Sequence, residues 1–401
     1  MTDKNKLATI REALPIAAGR FFSTCGDQII EILVIWIAWQ ATQSSFATSI
    51  AAFSQRAPFW LFGYVGAGLT DRRSPFGVLV AASLTCTVLA LAGATIGTMN
   101  ATSVAVIAIA FLIGCARSFE APALTALISA TVPPVHMHQV NNILDNSKRM
   151  GRVVAPFVAG GISSGRTAWS LMIIAGCYAV MAICVKAISR ARSLAGGDIS
   201  IKKKGGLGSI REILGTAFVG SVIVASMFYA FFHGAAYFAL IPRLFLATTD
   251  GSVTGFAQIV TMIALGGLCG NVTILALGSP NARNMVTLGM LGAGIGFGLI
   301  AVLGPYERLA AAFLVGISLP LQDVFIISLI QHYSRPDLVA RGHALWRLAC
   351  ELTIGLGMLA GGFGADRAPA YVLLICAGVG IVVTAVALRL KFGFAPSSEH
   401  A

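Results

Sequence analysis

The stretch LPIAAGRFFSTCGDQIIEILVIWIAWQ, Leu14–Gln40, decides the fold. An apolar run of about twenty residues is long enough to cross the hydrocarbon core of a bilayer as a helix. Within that run stand Arg20, Asp27 and Glu31, charges that cost several kcal/mol in lipid and are kept where they do something. Arg20, Thr24, Asp27 and Glu31 follow one another at i, i+4, i+7 and i+11, so they share one helical face. The rest of the helix can meet lipid or other helices while that face meets something polar.

The whole chain reads the same way. Of its 401 residues 57% are hydrophobic and only 11% charged, against roughly 25% charged in a soluble domain. Such a chain has too little polar surface for water, so lipid is its solvent and its fold is all-α. Spans are expected at about 14–40, 46–70, 76–98, 102–127, 140–163, 167–187, 213–243, 253–277, 284–304, 308–331, 340–362 and 369–390. Twelve crossings put both termini on one side. The formal charge of +12 does not mark a nucleic-acid surface, because the basic residues sit between apolar runs and not along a stripe. Twenty-one of the 28 lie on the side of the termini, among them Lys4, Arg72, Lys203 and Arg389, against Arg166, Arg243, Arg308 and Arg367 on the other. The positive-inside bias makes the first side cytoplasmic.

Residues 191–212, ARSLAGGDISIKKKGGLGSIRE, form the one long polar stretch and divide the chain into halves at 1–190 and 213–401. The halves resemble each other. A shift of 202 residues lays Pro134 on Pro336, Leu127 on Leu329 and Gly160 on Gly362. It also lays Asp145 on Arg347 and Arg149 on Glu351, so an i, i+4 ion pair recurs with its charges exchanged. Two related six-helix halves suit a transporter that rocks around a central site.

Other chemistry finds little footing. The eight cysteines fall inside apolar runs without a CxxC pair, and read as small buried hydrophobes. His136 and His138 lack nearby carboxylates or thiols, so no metal site is expected. The glycine pairs near 266 and 292 lack the Lys-Ser/Thr tail of a phosphate loop and read as helix-packing surfaces. No cofactor is expected, no ATP drive and no enzyme. The N-terminus, MTDKNKLATIRE, has no hydrophobic core before a cleavage site, so no cleaved signal is expected.

Two motifs carry a family resemblance. Gly66-Ala67-Gly68-Leu69-Thr70-Asp71-Arg72-Arg73, after the second span, resembles the cytoplasmic loop signature of the major facilitator superfamily. Gly151-Arg152-Val153-Val154-Ala155-Pro156-Phe157-Val158-Ala159-Gly160-Gly161 resembles its antiporter motif, with alanine for two glycines. Segments 118–161 and 316–366, with Cys25-Gly26-Asp27, are similar to the branch that holds the enterobactin exporter and macrolide efflux proteins. The resemblance implies a major-facilitator fold in a bacterial inner membrane and proton-driven efflux of a small molecule, such as a siderophore or hydrophobic drug, by a monomer. The alternatives are an uptake permease of the same fold, for example for iron-siderophore complexes, a lipid flippase, or a non-transporting sensor.

The resemblance places helices one, four, seven and ten around a cavity and so suggests roles. Asp27 and Glu31 are expected to carry protons, with Arg20 or Arg56 as counter-charge. Substrate contacts are expected from Arg56, Arg117, Glu120, Tyr229, His233, Tyr237, Gln322 and Asp323, with Ser226 on the same helix face. Asp71, Arg72, Asp145, Arg149, Arg347 and Glu351 are expected to form a cytoplasmic gate.

Overall fold

The computed structural model describes residues 3–70, 74–132, 134–161, 167–194, 217–247, 253–277, 281–333 and 339–393, except residues 98–102. Asp71 and Arg72 lie outside them, as do most of the 191–212 loop and the side chains of His136 and His138. Among the described residues there is no β-strand. The helices are α1 (Asp3–Thr42), α2 (Ser45–Thr70), α3 (Pro75–Gly97), α4 (Ser103–Arg117), α5 (Glu120–Thr131), α6 (Pro134–Gly161) and α7 (Thr167–Leu194). After these come α8 (Ala217–Ala235), a π-helical turn (Ala236–Leu240), α9 (Ile241–Leu246), α10 (Val253–Leu277), α11 (Ala282–Val302), α12 (Pro305–Tyr333), α13 (Val339–Ala365) and α14 (Ala370–Gly393). With α4–α5 and α8–π–α9 each counted as one crossing, these make the twelve crossings of an all-α membrane protein. Among the described residues, ten spans are long and apolar enough to cross a bilayer by composition alone. The other two crossings, α2 and α6, carry Arg56 and a polar first half (PVHMHQVNNILDNSKR), respectively.

Two of the twelve crossings are interrupted, and proline explains both. The sequence reading treats 102–127 as one helix, but the chain turns at Ser118-Phe119 between α4 and α5. Pro122 has no N–H to give to the Ser118 carbonyl, and its ring crowds that carbonyl. Pro242 stands in the same relation to Phe238, inside the π-turn, where the wider coil relieves the clash.

The chain forms two compact units: residues 1–43, 51–204 and 252–257, and residues 44–50, 205–251 and 258–401. In the first, α1 packs on α6 and α7, and α3 on α4 and α7. Its apolar core joins Ile29, Ile30, Val34, Cys86, Ile113, Leu171, Ile174 and Tyr178. In lipid the helices gain no hydrophobic drive toward each other, so close approach at small residues holds them together. Gly151 shows this well: a Cβ there would lie 2.7 Å from the Phe21 carbonyl oxygen of α1. In the second unit α11 packs on α12 and α14, and α8 on α13 and α14.

Candidate functional site

Helix α1 carries its polar face into the first unit, where each charge meets a partner from another crossing. Arg20 Nη1 bonds Glu120 Oε1, and Ser23 Oγ donates to the same oxygen at 3.3 Å. Arg117 bridges two carboxylates, with Nη1 on Glu120 Oε2 and Nη2 on Asp27 Oδ2. Tyr178 of α7 donates its O–H to Asp27 Oδ1 at 2.8 Å, and the Arg117 guanidinium lies 5.6 Å from the centroid of the Tyr178 ring.

The break between α4 and α5 makes this possible. Arg117 ends one helix and Glu120 begins the next, so the two turn toward each other and toward α1. The close approach of α4 to α2 adds to it, since a Cβ on Gly114 would lie 2.5 Å from the Gln55 carbonyl oxygen.

Two guanidinium groups thus meet two carboxylates, and the cluster balances. An isolated buried charge is costly, whereas a paired and hydrogen-bonded one is tolerated. Side-chain exposure then separates the members: Glu120 is 4% exposed, Arg117 9%, Arg20 16% and Asp27 31%. Asp27 is the acid at the open edge of the cluster, while Glu120 is sealed inside it.

One turn further along α1, Glu31 accepts from Arg56 Nη2 at 3.0 Å and from Gln28 Nε2 at 3.1 Å. The counter-charges therefore differ in part from the sequence expectation. Arg56 does pair with Glu31, but Asp27 is held by Arg117 and Tyr178, while Arg20 serves Glu120. Sequence reasoning missed Tyr178, Ser23 and Gln28. A tyrosine in the middle of the apolar run 167–187 was the available signal for the first.

In the second unit, Tyr229, His233 and Tyr237 form a ladder. Consecutive ring centroids are 5.6 Å apart and nearly parallel, at 18° and 13°, and Phe297 meets His233 edge-on. Tyr229 Oη lies 3.5 Å from His233 Nδ1. The π-turn carries Tyr237 and sets where the ladder ends. Ser226 instead bonds back to the Val222 carbonyl at 2.7 Å.

Gln322 and Asp323 part company on α12. Asp323 is exposed, whereas Gln322 is 2% exposed and packs against Gly289 of α11. Of the expected gate residues, Arg149 Nε donates to Asp145 at 2.8 Å. Arg347, exposed, and Glu351 stand one turn apart on α13.

No group of three or more His, Cys, Asp or Glu side chains that could hold a metal ion occurs among the described residues. The family model described as Major Facilitator Superfamily matches residues 16–349. Among curated proteins no sequence matches the chain. Solved transporters match its fold at low identity. A POT family transporter in complex with a thioalcohol-conjugated peptide aligns at TM-score 0.78 and 12% identity, covering 96% of each chain. The nucleoside transporter NupG aligns at TM-score 0.68 and 12% identity, covering 95% of this chain and 100% of its own. A bacterial homolog of the human lysosomal transporter Spinster, inward-facing and unoccupied, aligns at TM-score 0.64 and 14% identity, covering 96% of each. The protein is a membrane transporter, and it belongs to the major facilitator superfamily.

Proposed function

We propose that the protein is a proton-coupled antiporter that exports a small molecule, such as a siderophore or hydrophobic drug, by alternating access. The observation that carries this reading is the place of Asp27: paired with Arg117, bonded to Tyr178, and at the open edge of a balanced cluster. Burial disfavours a charged carboxylate and a neighbouring cation favours it, so a small movement of Arg117 switches which form of Asp27 is stable. Proton uptake leaves Arg20 and Arg117 facing Glu120 alone, a buried excess of one positive charge. That excess favours a rearrangement which does not arise while Asp27 is ionised.

In this reading Glu31 shares the proton or orients Arg56. Tyr229, His233, Tyr237 and Asp323, with Arg56, Arg117, Glu120 and Gln322, supply the substrate contacts, since rings with polar tips suit a ligand of mixed polarity. The Asp145–Arg149 pair, with Asp71, Arg72, Arg347 and Glu351, forms the cytoplasmic gate. The termini lie in the cytoplasm, and the transporter acts as a monomer in a bacterial inner membrane.

The test is substrate-induced proton movement across proteoliposomes, screened with siderophores and hydrophobic drugs. Asp27→Asn keeps size and hydrogen bonding but carries no proton. It is expected to abolish transport driven by a pH gradient and to leave substrate binding intact. Wild-type rates in Asp27→Asn under that gradient would make Asp27 structural.

A further inference from the structure

The first turn of α2 is capped by a residue far along the chain. Asp366, in the turn between α13 and α14, accepts from Ser44 Oγ at 2.6 Å, from the Ser45 amide at 2.7 Å and from the Phe46 amide at 3.1 Å. The first amides of a helix have no partner within it, and the end of the helix that bears them is electropositive. Ser44 already serves α2 as its own cap, since its Oγ accepts from the Ala47 amide at 3.2 Å. Asp366 satisfies the two amides Ser44 leaves over and accepts a hydrogen bond from the Ser44 hydroxyl as well.

The surroundings are built for that one contact. Gly362 lies so close to α2 that a Cβ on it would come within 2.2 Å of Ser49 Oγ and 2.7 Å of the Ser45 carbonyl oxygen. Phe46 meets Phe363 edge-on at 5.9 Å. Arg367, the charged neighbour of Asp366, is turned away: it donates to the Phe363 carbonyl at 3.0 Å and lies 3.4 Å over the Phe363 ring. It braces Phe363 and leaves the carboxylate to α2.

One feature marks the seam as poised. Ser49 Oγ is buried there without a hydrogen-bond partner, which opening to water would relieve. Gln43, just before Ser44, ends α1: it is the non-glycine residue with positive φ among those described, at 51°, and its N–H donates to the Trp39 carbonyl at 2.8 Å, a common helix terminus.

We propose that Asp366 is a latch: its carboxylate, seated on the N-terminus of α2, holds the α13–α14 turn on the first turn of α2, and its release is the step that opens this end of the transporter. The second clause rests on the alternating-access reading; the first rests on the geometry alone. The seam lies at the ends of α2, α13 and α14 away from their basic loops.

Ser49→Cys places a nearly isosteric thiol inside the seam. The full chain in nanodiscs, which leave both faces open, is treated with a membrane-impermeant maleimide, and labelling is read by mass spectrometry on the peptide carrying residue 49. With Asp366 present the label enters slowly. Asp366→Ala is expected to speed it about tenfold, the scale of a lost charged cap, and Ser44→Ala by less. Hydrogen exchange at the Ser45 and Phe46 amides follows the same order in the protein without the added cysteine. Equal labelling and exchange with and without Asp366, in variants of unchanged Tm, overturn the latch. If Asp366→Ala does not fold, Asp366→Asn and Ser44→Ala decide by the same two readouts. Faster labelling in a protein that moves no protons keeps the latch and removes the coupling reading instead.

Discussion

Tyr178 donates its phenolic O–H to Asp27 Oδ1 at 2.8 Å, while Arg117 holds the other oxygen of the same carboxylate. The two partners differ in kind. Arg117 keeps its charge at any relevant pH and also serves Glu120. Tyr178 gives its hydroxyl to Asp27 and costs no charge to withdraw.

The phenol favours the ionised carboxylate and does little for the protonated one. Tyr178→Phe is therefore expected to slow proton-driven turnover about tenfold, as loss of a hydrogen bond to a charged group would, and to leave substrate affinity unchanged. Proteoliposome rates set against equilibrium binding measure this split. A parallel fall in both, or in neither, makes Tyr178 a packing residue.

Arg117 joins the two carboxylates, so its removal leaves Asp27 and the buried Glu120 facing each other with Arg20 as the one guanidinium in the cluster. Arg117→Met is expected to destabilise the protein by about 3–5 kcal/mol, read as a fall in Tm in detergent. Adding Glu120→Gln restores the charge balance and is expected to recover most of that loss. No recovery in the double variant would mean that Arg117 stabilises by packing and not by charge.

The apolar period and the polar face of α1 were legible because lipid enforces them: a charge in a span must have a partner, and i, i+4, i+7 spacing says on which face. The choice of partner was not legible. Whether Asp27 meets Arg20, Arg56 or Arg117 depends on how far α4, α5 and α7 turn about their own axes, and that is set by contacts such as Gly114 on Gln55. Pro122 and Pro242 accompany the breaks at Ser118-Phe119 and Ala236–Leu240, although the sequence reading runs a single span through each. Proline inside a membrane helix is tolerated so often, however, that its presence alone does not say where a helix stops. The Asp366 cap left no trace in local sequence, because its donors lie more than 300 residues away.

The basic bias predicts that the loop around Lys203 faces the cytoplasm. Lys203→Cys is expected to resist an impermeant thiol reagent in intact cells and to react once they are opened. Ready labelling from outside inverts the orientation, and with it the side on which the Asp366 seam would open.

Asp366 also sets how the latch responds to acid. Its partial desolvation pushes the carboxyl up, but the hydrogen bonds from Ser44 and from the Ser45 and Phe46 amides outweigh that and hold it below the ordinary carboxylate range. A group lowered on folding contributes stability that is fully present above its unfolded value of about 3.9 and is lost only as pH falls through the still lower folded value. Arg367 keeps its charge throughout and bonds the Phe363 carbonyl, so it adds no titration of its own. The latch should then stay shut across the range over which a proton gradient works. The ratio of Ser49→Cys labelling rates between Asp366→Ala and the protein with Asp366 intact is expected to agree within about twofold at pH near 5 and near 8. A ratio that collapses toward one at the lower pH would show the carboxylate titrating in that range, and the seam itself would then be a proton sensor.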